Sequence, residues 1–313
     1  MPQPAEVGDV APSSIAHIVG QKSVVDQIAV ALDSAQIDSR RFDHAMLVGP
    51  PGMGKSMAAN VIAQEMATDF LEVLGQSVAN VGDLNALLLQ AKHKTVLHID
   101  ECHELDKRLQ TSLYLALDKH RVFLSGGKGV QSIPIADFTL LLSTTDEYCL
   151  LQPLRDRMRL VLRFDFYPES DLTTVLHQRI RALGWDVDEE LLPMIAQRAK
   201  GTPRLALRLL QACRRVCRAE GDQAITSDHL TRACSLEEID DMGLGPTERA
   251  YLRLLADGPM RLNVIASSLG LPARTVSAVV EPFLIRANLT TKDDQSRRQL
   301  TARGYDHLSN SCS

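Results

Sequence analysis

The sequence predicts an α/β domain with a parallel sheet around a phosphate loop, then an all-helical segment, then a C-terminal winged helix. Three observations carry that expectation. First, Gly49-Pro50-Pro51-Gly52-Met53-Gly54-Lys55-Ser56 fits the G-x-x-x-x-G-K-S pattern, with the apolar run Ala45-Met46-Leu47-Val48 before it and a helical pattern, Met57 to Ala63, after it. Second, another apolar run, Thr95-Val96-Leu97-His98-Ile99, delivers the carboxylates Asp100 and Glu101 at its end. Third, the chain closes with three short helical patterns and two strand-like pieces around a polar turn.

Composition agrees with a globular protein of two or three domains. The chain has 313 residues, 45% hydrophobic and 23% charged, and no apolar run long enough to cross a bilayer. Met1-Pro2-Gln3-Pro4-Ala5-Glu6 lacks the basic-then-apolar start of a secretory signal, so the expected location is cytoplasmic. Six cysteines in a chain of this size read as reduced thiols. Cys213 and Cys217 share a helix face, but no second pair at zinc spacing stands near them, which favours packed thiols over metal ligands. The net charge is −5; from Pro246 onward nine Lys/Arg face six Asp/Glu, giving +3 there and −8 elsewhere. A uniformly basic nucleic-acid binder is excluded, while a locally basic end is compatible with DNA contact.

Residues 1–14 lack periodicity and read as a loose tail. Apolar spacing at Val24, Val25, Ile28, Ala31 and Leu32 predicts the first helix. In the phosphate loop the glycines permit close backbone approach, so that successive N–H groups converge on a polyphosphate. Lys55 reaches the β- and γ-phosphates, and the Ser56 hydroxyl ligates Mg²⁺. The bland alternative, a ligand-free Gly/Pro turn, fits poorly with the strand and helix that flank the motif. Phe70–Leu74 reads as a strand, and Asp83 as the cap of the next helix. Asp100 is placed to hold the metal shell and Glu101 to polarise the attacking water. The letters Asp100-Glu101-Cys102-His103 also match the D-E-x-H box of two-domain helicases, but nothing after residue 200 supplies the second domain that reading needs.

Phe138-Thr139-Leu140-Leu141-Leu142 is a third strand ending in Ser143-Thr144-Thr145, where Thr145 or Thr144 can report on the γ-phosphate. Before it, residues 121–133 read as a hairpin around a glycine-rich turn. Arg157, in Pro153-Leu154-Arg155-Asp156-Arg157, lies at the rim of the module; the residues alone leave a cross-subunit cation and a solvated surface arginine equally open. Helical patterns then run to about Leu230. Gly201-Thr202-Pro203-Arg204 opens one of them, with Pro203 at its start and Thr202 as cap. Arg204 in a first turn is electrostatically misplaced unless it serves an anion such as the nucleotide. In the closing segment Arg274 stands on the third helix, and Arg297 and Arg298 stand on the ribbon, as DNA-contact candidates.

Together these strings resemble the bacterial RuvB family of AAA+ proteins, from about Ile15 to Leu308. The match also takes in Ile18-Val19-Gly20-Gln21, Phe42-Asp43-His44, Gly82-Asp83-Leu84, Leu113-Tyr114 and Glu281-Pro282-Phe283-Leu284-Ile285. The resemblance implies an ATP-driven ring motor, a hexamer, that works on Holliday junctions with RuvA in recombination and repair. It implies an AAA+ core over 15–168, a helical lid over 169–243 and a DNA-contacting winged helix over 244–313. Val19, Gly20, Met57, Tyr167, Pro203 and the phosphate loop would hold ATP, with Tyr167 near the adenine. Ser56 and Asp100 would serve Mg²⁺, and the tip at Thr144-Thr145 would be the first sensor. Arg157 would be the finger acting in trans and Arg204 the lid sensor, while the hairpin 122–133 would meet RuvA. The chain departs from the family pattern at Asp146, Met158-Arg159, Arg297-Arg298 and Gly258-Pro259-Met260. A clamp-loader-like or switch ATPase, whose winged helix binds protein, is the competing reading.

Overall fold

A computed structural model describes residues 6, 7, 10–126 and 129–310, with backbone alone for 125, 126, 129 and 130. It divides into two compact units, Met1–Val175 with Thr202–Arg204, and Leu176–Gly201 with Leu205–Ser313.

The first unit is the expected parallel α/β domain. Its elements are α1 (Lys22–Ile37), β1 (Ala45–Val48), α2 (Lys55–Glu65), β2 (Phe70–Leu74), α3 (Val81–Gln90), β3 (Val96–Asp100) and α4 (Lys107–Lys119). A hairpin follows, β4 (Arg121–Gly126) and β5 (Gly129–Pro134), then β6 (Thr139–Thr144), α5 (Gln152–Arg155) and β7 (Leu160–Arg163). The five parallel strands are ordered β2-β3-β6-β1-β7. β6 is buried at every residue and β1 and β3 at all but their last, which is why they read as unbroken apolar runs instead of alternating ones. The core on one face gathers Leu84, Leu88, Leu97, Ile99, Leu109, Leu113, Leu140 and Leu142.

Two local expectations are corrected. Asp83 does not cap α3; Asn80 does, its side chain accepting from the Asp83 N–H while the Asp83 carboxylate accepts from the Asn80 N–H. Asp83 is therefore the third helical residue of a reciprocal capping box, and the helix starts earlier than an Asp83 cap would allow. The 1–14 tail is also not wholly loose: Val7 is buried and Ser14 donates to Glu65 at 2.7 Å, while residues 1–5, 8 and 9 lie outside the described residues. Within the hairpin, Val122 pairs with Ile133 and Phe123 with Ser132; the Gly127-Lys128 turn lies outside the described residues.

α6 (Glu169–Leu183) begins in the first unit and α8 (Pro203–Glu220) leaves it; α7 (Leu191–Arg198) and α9 (Ser227–Leu236) belong to the second. The second unit then forms the winged helix: α10 (Pro246–Ala256), α11 (Leu262–Leu269), α12 (Ala273–Thr275), a π-helical turn Val276–Val280, α13 (Glu281–Arg286), the ribbon β8 (Thr290–Lys292) and β9 (Arg298–Leu300), and α14 (Ala302–Asn310). The π turn sits where Pro282 lacks the N–H that would bond the carbonyl four residues back, so the helix widens by one residue. Tyr251, Leu252, Leu255, Ile265, Val276 and Leu284 fill its core.

His44, just before β1, illustrates how the sheet constrains titration. The Leu140 N–H donates to His44 Nδ1 at 2.9 Å, so that nitrogen must keep its lone pair. Burial, reinforced by Arg41 and Arg159, pushes the ring from its ordinary 6.5 down to about 3. The unfolded chain thus takes up a proton near 6.5 that the folded chain refuses until about 3. Stability contributed by this group is complete above about 6.5 and falls as pH drops through that window. Thermal denaturation of His44→Gln is expected to show a shallower fall between those limits than the unsubstituted chain; an unchanged slope would contradict the assignment.

Candidate nucleotide site and nucleic-acid interface

The parallel order sets β6 between β1 and β3, so the phosphate loop, the Ser143-Thr144 tip and Asp100-Glu101 emerge at one edge of the sheet. The loop follows β1 with Gly49, Gly52 and Gly54 all at positive φ. At Gly52 the need is steric as well as conformational. A Cβ there would lie 2.9 Å from Thr202 Cγ2 and 3.0 Å from Arg204 Cβ, so the first turn of α8 packs directly on the loop. The structure therefore brings Thr202 and Arg204 to the phosphate loop, and Pro203 lies between them as the first residue of α8.

Lys55 is buried at the start of α2, its Nζ donating to the Gly49 and Pro50 carbonyls at 2.7 and 2.9 Å. Burial lowers its pKa; Glu101 and Asp100 act in the opposite direction, and Arg204 adds to the lowering. Ser56 Oγ donates to Asp100 Oδ2 at 2.8 Å, which joins the two candidate metal ligands across the sheet. Both offer oxygen, the donor type that a hard divalent cation takes. Met53 is fully buried beneath the loop and Met57 lies half-buried on the first turn of α2, while Pro51 is exposed.

Glu101 adopts a left-handed backbone, φ 48°, unusual for a non-glycine residue, and this turns the chain sharply after β3. Its carboxylate lies 3.4 Å from His103 Nδ1, and the same nitrogen lies 3.1 Å from Thr144 Oγ1. Thr144 is the buried end of β6 and also accepts from the Asp146 N–H; Thr145 follows it, exposed. His103 thus links the catalytic-carboxylate candidate to the strand tip. Sequence pattern does not expose that link, because His103 stands there only as a letter of a motif, 41 residues before Thr144. Asp146 turns onto the next short turn, accepting from the Tyr148 N–H and Cys149 Sγ, which holds its carboxyl below the usual range.

Tyr167 is buried against Gly20, where an added Cβ would meet its ring at 3.1 Å. Gly20 therefore stands beside Tyr167, and Gln21 braces this corner through bonds with the Asp165 backbone at 2.6 and 3.1 Å. Burial pushes the Tyr167 hydroxyl up to about 12.

Comparison with known proteins places this geometry. The description "Holliday junction DNA helicase RuvB P-loop domain" matches residues 10–164, "RuvB AAA lid domain" residues 167–240, and "RuvB C-terminal winged helix domain" residues 241–309. The chain belongs to the RuvB family. It is 36% identical to the RuvB branch migration subunit of Acidothermus cellulolyticus, covering 95% of this chain and 83% of that one. Against the Thermotoga maritima RuvB subunit it is 33% identical, covering 95% and 91%. A solved Thermotoga maritima RuvB motor superposes with a TM-score of 0.83 at 32% identity, over 95% of this chain and 97% of that one. This RuvB-family chain accordingly has a P-loop nucleotide-binding core, a helical lid and a winged helix.

The winged helix corrects one DNA-contact expectation. Arg298 turns inward, its Nε donating to Glu281 Oε1 at 2.7 Å and its Nη2 to Oε2 at 3.2 Å; Glu281 is 2% exposed and also accepts from the Tyr251 hydroxyl. A buried carboxylate demands such a partner, so Arg298 is spent on the interior. Arg297 stays half-exposed but pairs with Asp293 at 2.7 Å, across the polar turn of the ribbon. Arg274 is exposed on α12. Glu281→Ala, which strands the Arg298 guanidinium, is expected to cost the winged helix about 3 kcal/mol. Urea denaturation followed by hydrogen exchange in residues 246–300 reads this; unchanged protection would return Arg298 to the surface.

Proposed function

We propose that this chain is an ATP-hydrolysing DNA motor that drives branch migration of Holliday junctions, acting as a ring in the cytoplasm with a RuvA-like partner. One observation carries the catalytic half of the reading: Ser56, Asp100, Glu101, Lys55 and Arg204 gather around one glycine loop. Family membership supports the DNA half.

In this reading the loop N–H groups and Lys55 hold the triphosphate, and Tyr167 with Val19 and Gly20 borders the base. Ser56 and Asp100 hold Mg²⁺, which supplies charge neutralisation on the phosphates. Glu101 orients and polarises the attacking water, and its distance to His103 lets the Thr144-Thr145 tip adjust that carboxylate. Arg204 answers the γ-phosphate from the first turn of α8, and Arg157 answers a neighbouring subunit's phosphate in trans. The hairpin 122–133, with Phe123 47% exposed, is the surface offered to the RuvA-like partner. Duplex contact falls to Arg274 and, once freed from Asp293, Arg297.

Two measurements test the catalytic assignments. Glu101→Gln is expected to bind ATP normally while losing turnover by at least about 10²-fold; turnover at the normal rate would remove Glu101 from catalysis. Duplex DNA is expected to stimulate ATP hydrolysis, with apparent affinity falling steeply as salt rises because counterions are released. A DNA-indifferent, salt-insensitive ATPase would instead favour a switch whose winged helix binds protein. The trans role of Arg157 is read by mixing: Arg157→Ala and Lys55→Ala subunits, each losing most but not all hydrolysis alone, are expected to recover activity together, because an intact phosphate loop then meets an intact arginine. No recovery in rings shown to be mixed would contradict it.

A further inference from the structure

Arg157 is not a free side chain at the rim. Its Nε donates to Asp118 Oδ1 at 2.7 Å, its Nη2 donates to Asp118 Oδ2, and its Nη1 donates to the Pro153 carbonyl. The guanidinium also lies over the Tyr114 ring, 4.8 Å from its centroid. Tyr114 and Asp118 stand four residues apart on α4, one turn, so a single helix face presents both. The pairing pulls the Asp118 carboxyl below its usual range and raises the guanidinium.

We infer that Asp118 and Tyr114 form a clamp that fixes Arg157 in the orientation it needs to reach a neighbour's nucleotide, making them positioning residues for hydrolysis. This rests on the trans reading of Arg157 above. An arginine side chain carries substantial rotamer entropy. A finger that had to be ordered at each turnover would lose that at the moment of reaction; one ordered beforehand does not. The fork on Asp118 sets the plane of the guanidinium, the Tyr114 face supports that plane from one side, and the Pro153 carbonyl fixes the remaining rotation. Three of the five N–H donors of an arginine are engaged this way, which leaves two for phosphoryl oxygens. A latch built to withhold the finger would engage the full set and bury it, whereas this guanidinium keeps donors and exposure at the surface.

The test is a cycle on the full-length ring with duplex DNA present. Asp118→Asn, nearly isosteric and at an exposed position, is expected to lower kcat for ATP between about 10- and 100-fold with KM changed less than about two-fold. Tyr114→Leu is expected to lower kcat in the same direction. In an Arg157→Ala background, Asp118→Asn is expected to cause no further loss, because the arginine it positions is gone. A rise in kcat for Asp118→Asn would make the pair an inhibitory latch and overturn the inference. An equal further loss in the Arg157→Ala background would make Asp118 merely structural and overturn it too. Full activity of Arg157→Ala alone would sink the trans reading itself, whereas normal Asp118→Asn beside strongly impaired Arg157→Ala would sink only the clamp.

Discussion

The constraint on which the nucleotide site depends is the insertion of β6 between β1 and β3. Parallel pairing puts all three carboxyl ends at one edge, and the register of Val48 with Thr144 brings the start of the phosphate loop level with the buried strand tip. The Ser56–Asp100 hydrogen bond follows from that order, since residues 44 positions apart in sequence meet only because β6 sets their spacing. Without it, Lys55 would be a buried ammonium with little compensation. In place, the two carboxylates and the loop carbonyls stabilise the charge that burial opposes.

A second layer of control runs through backbone strain and close approach. Glu101 in a left-handed conformation and Gly52 against Thr202 and Arg204 both fix side chains by shaping the chain beneath them. The consequence is a site whose cations come from different elements: Lys55 from α2 and Arg204 from α8. Arg204 opposes the Lys55 charge, and Glu101 and Asp100 beside them act in the other direction.

Much of this is legible in the sequence because it rests on local pattern. The phosphate loop, the apolar runs of β1, β3 and β6, and the helical spacing of α1 follow from burial and periodicity over a few residues. Arg204 is readable because a cation in a first helical turn opposes the dipole and so asks for an anion. What escapes is set by side-chain choice across long separations. His103 bridging Glu101 and Thr144, and Asp118 gripping Arg157, depend on geometry that no short spacing encodes. Asn80 displaces Asp83 as the cap for a nearer reason: both residue types suit that position, and only the backbone decides between them. Arg298 misleads because an arginine on a ribbon reads as solvent-facing until the buried Glu281, 17 positions away, is seen to claim it.

In the winged helix Arg298 is held by the buried Glu281, which leaves Arg274 and Arg297 of the three basic residues singled out there at the surface. The most direct measurement is ATP-dependent branch migration of a synthetic four-way junction, with and without a RuvA protein. Strand exchange that requires ATP hydrolysis and is strongly promoted by RuvA is the expected result. ATP turnover with no movement of the junction under either condition would contradict the motor assignment.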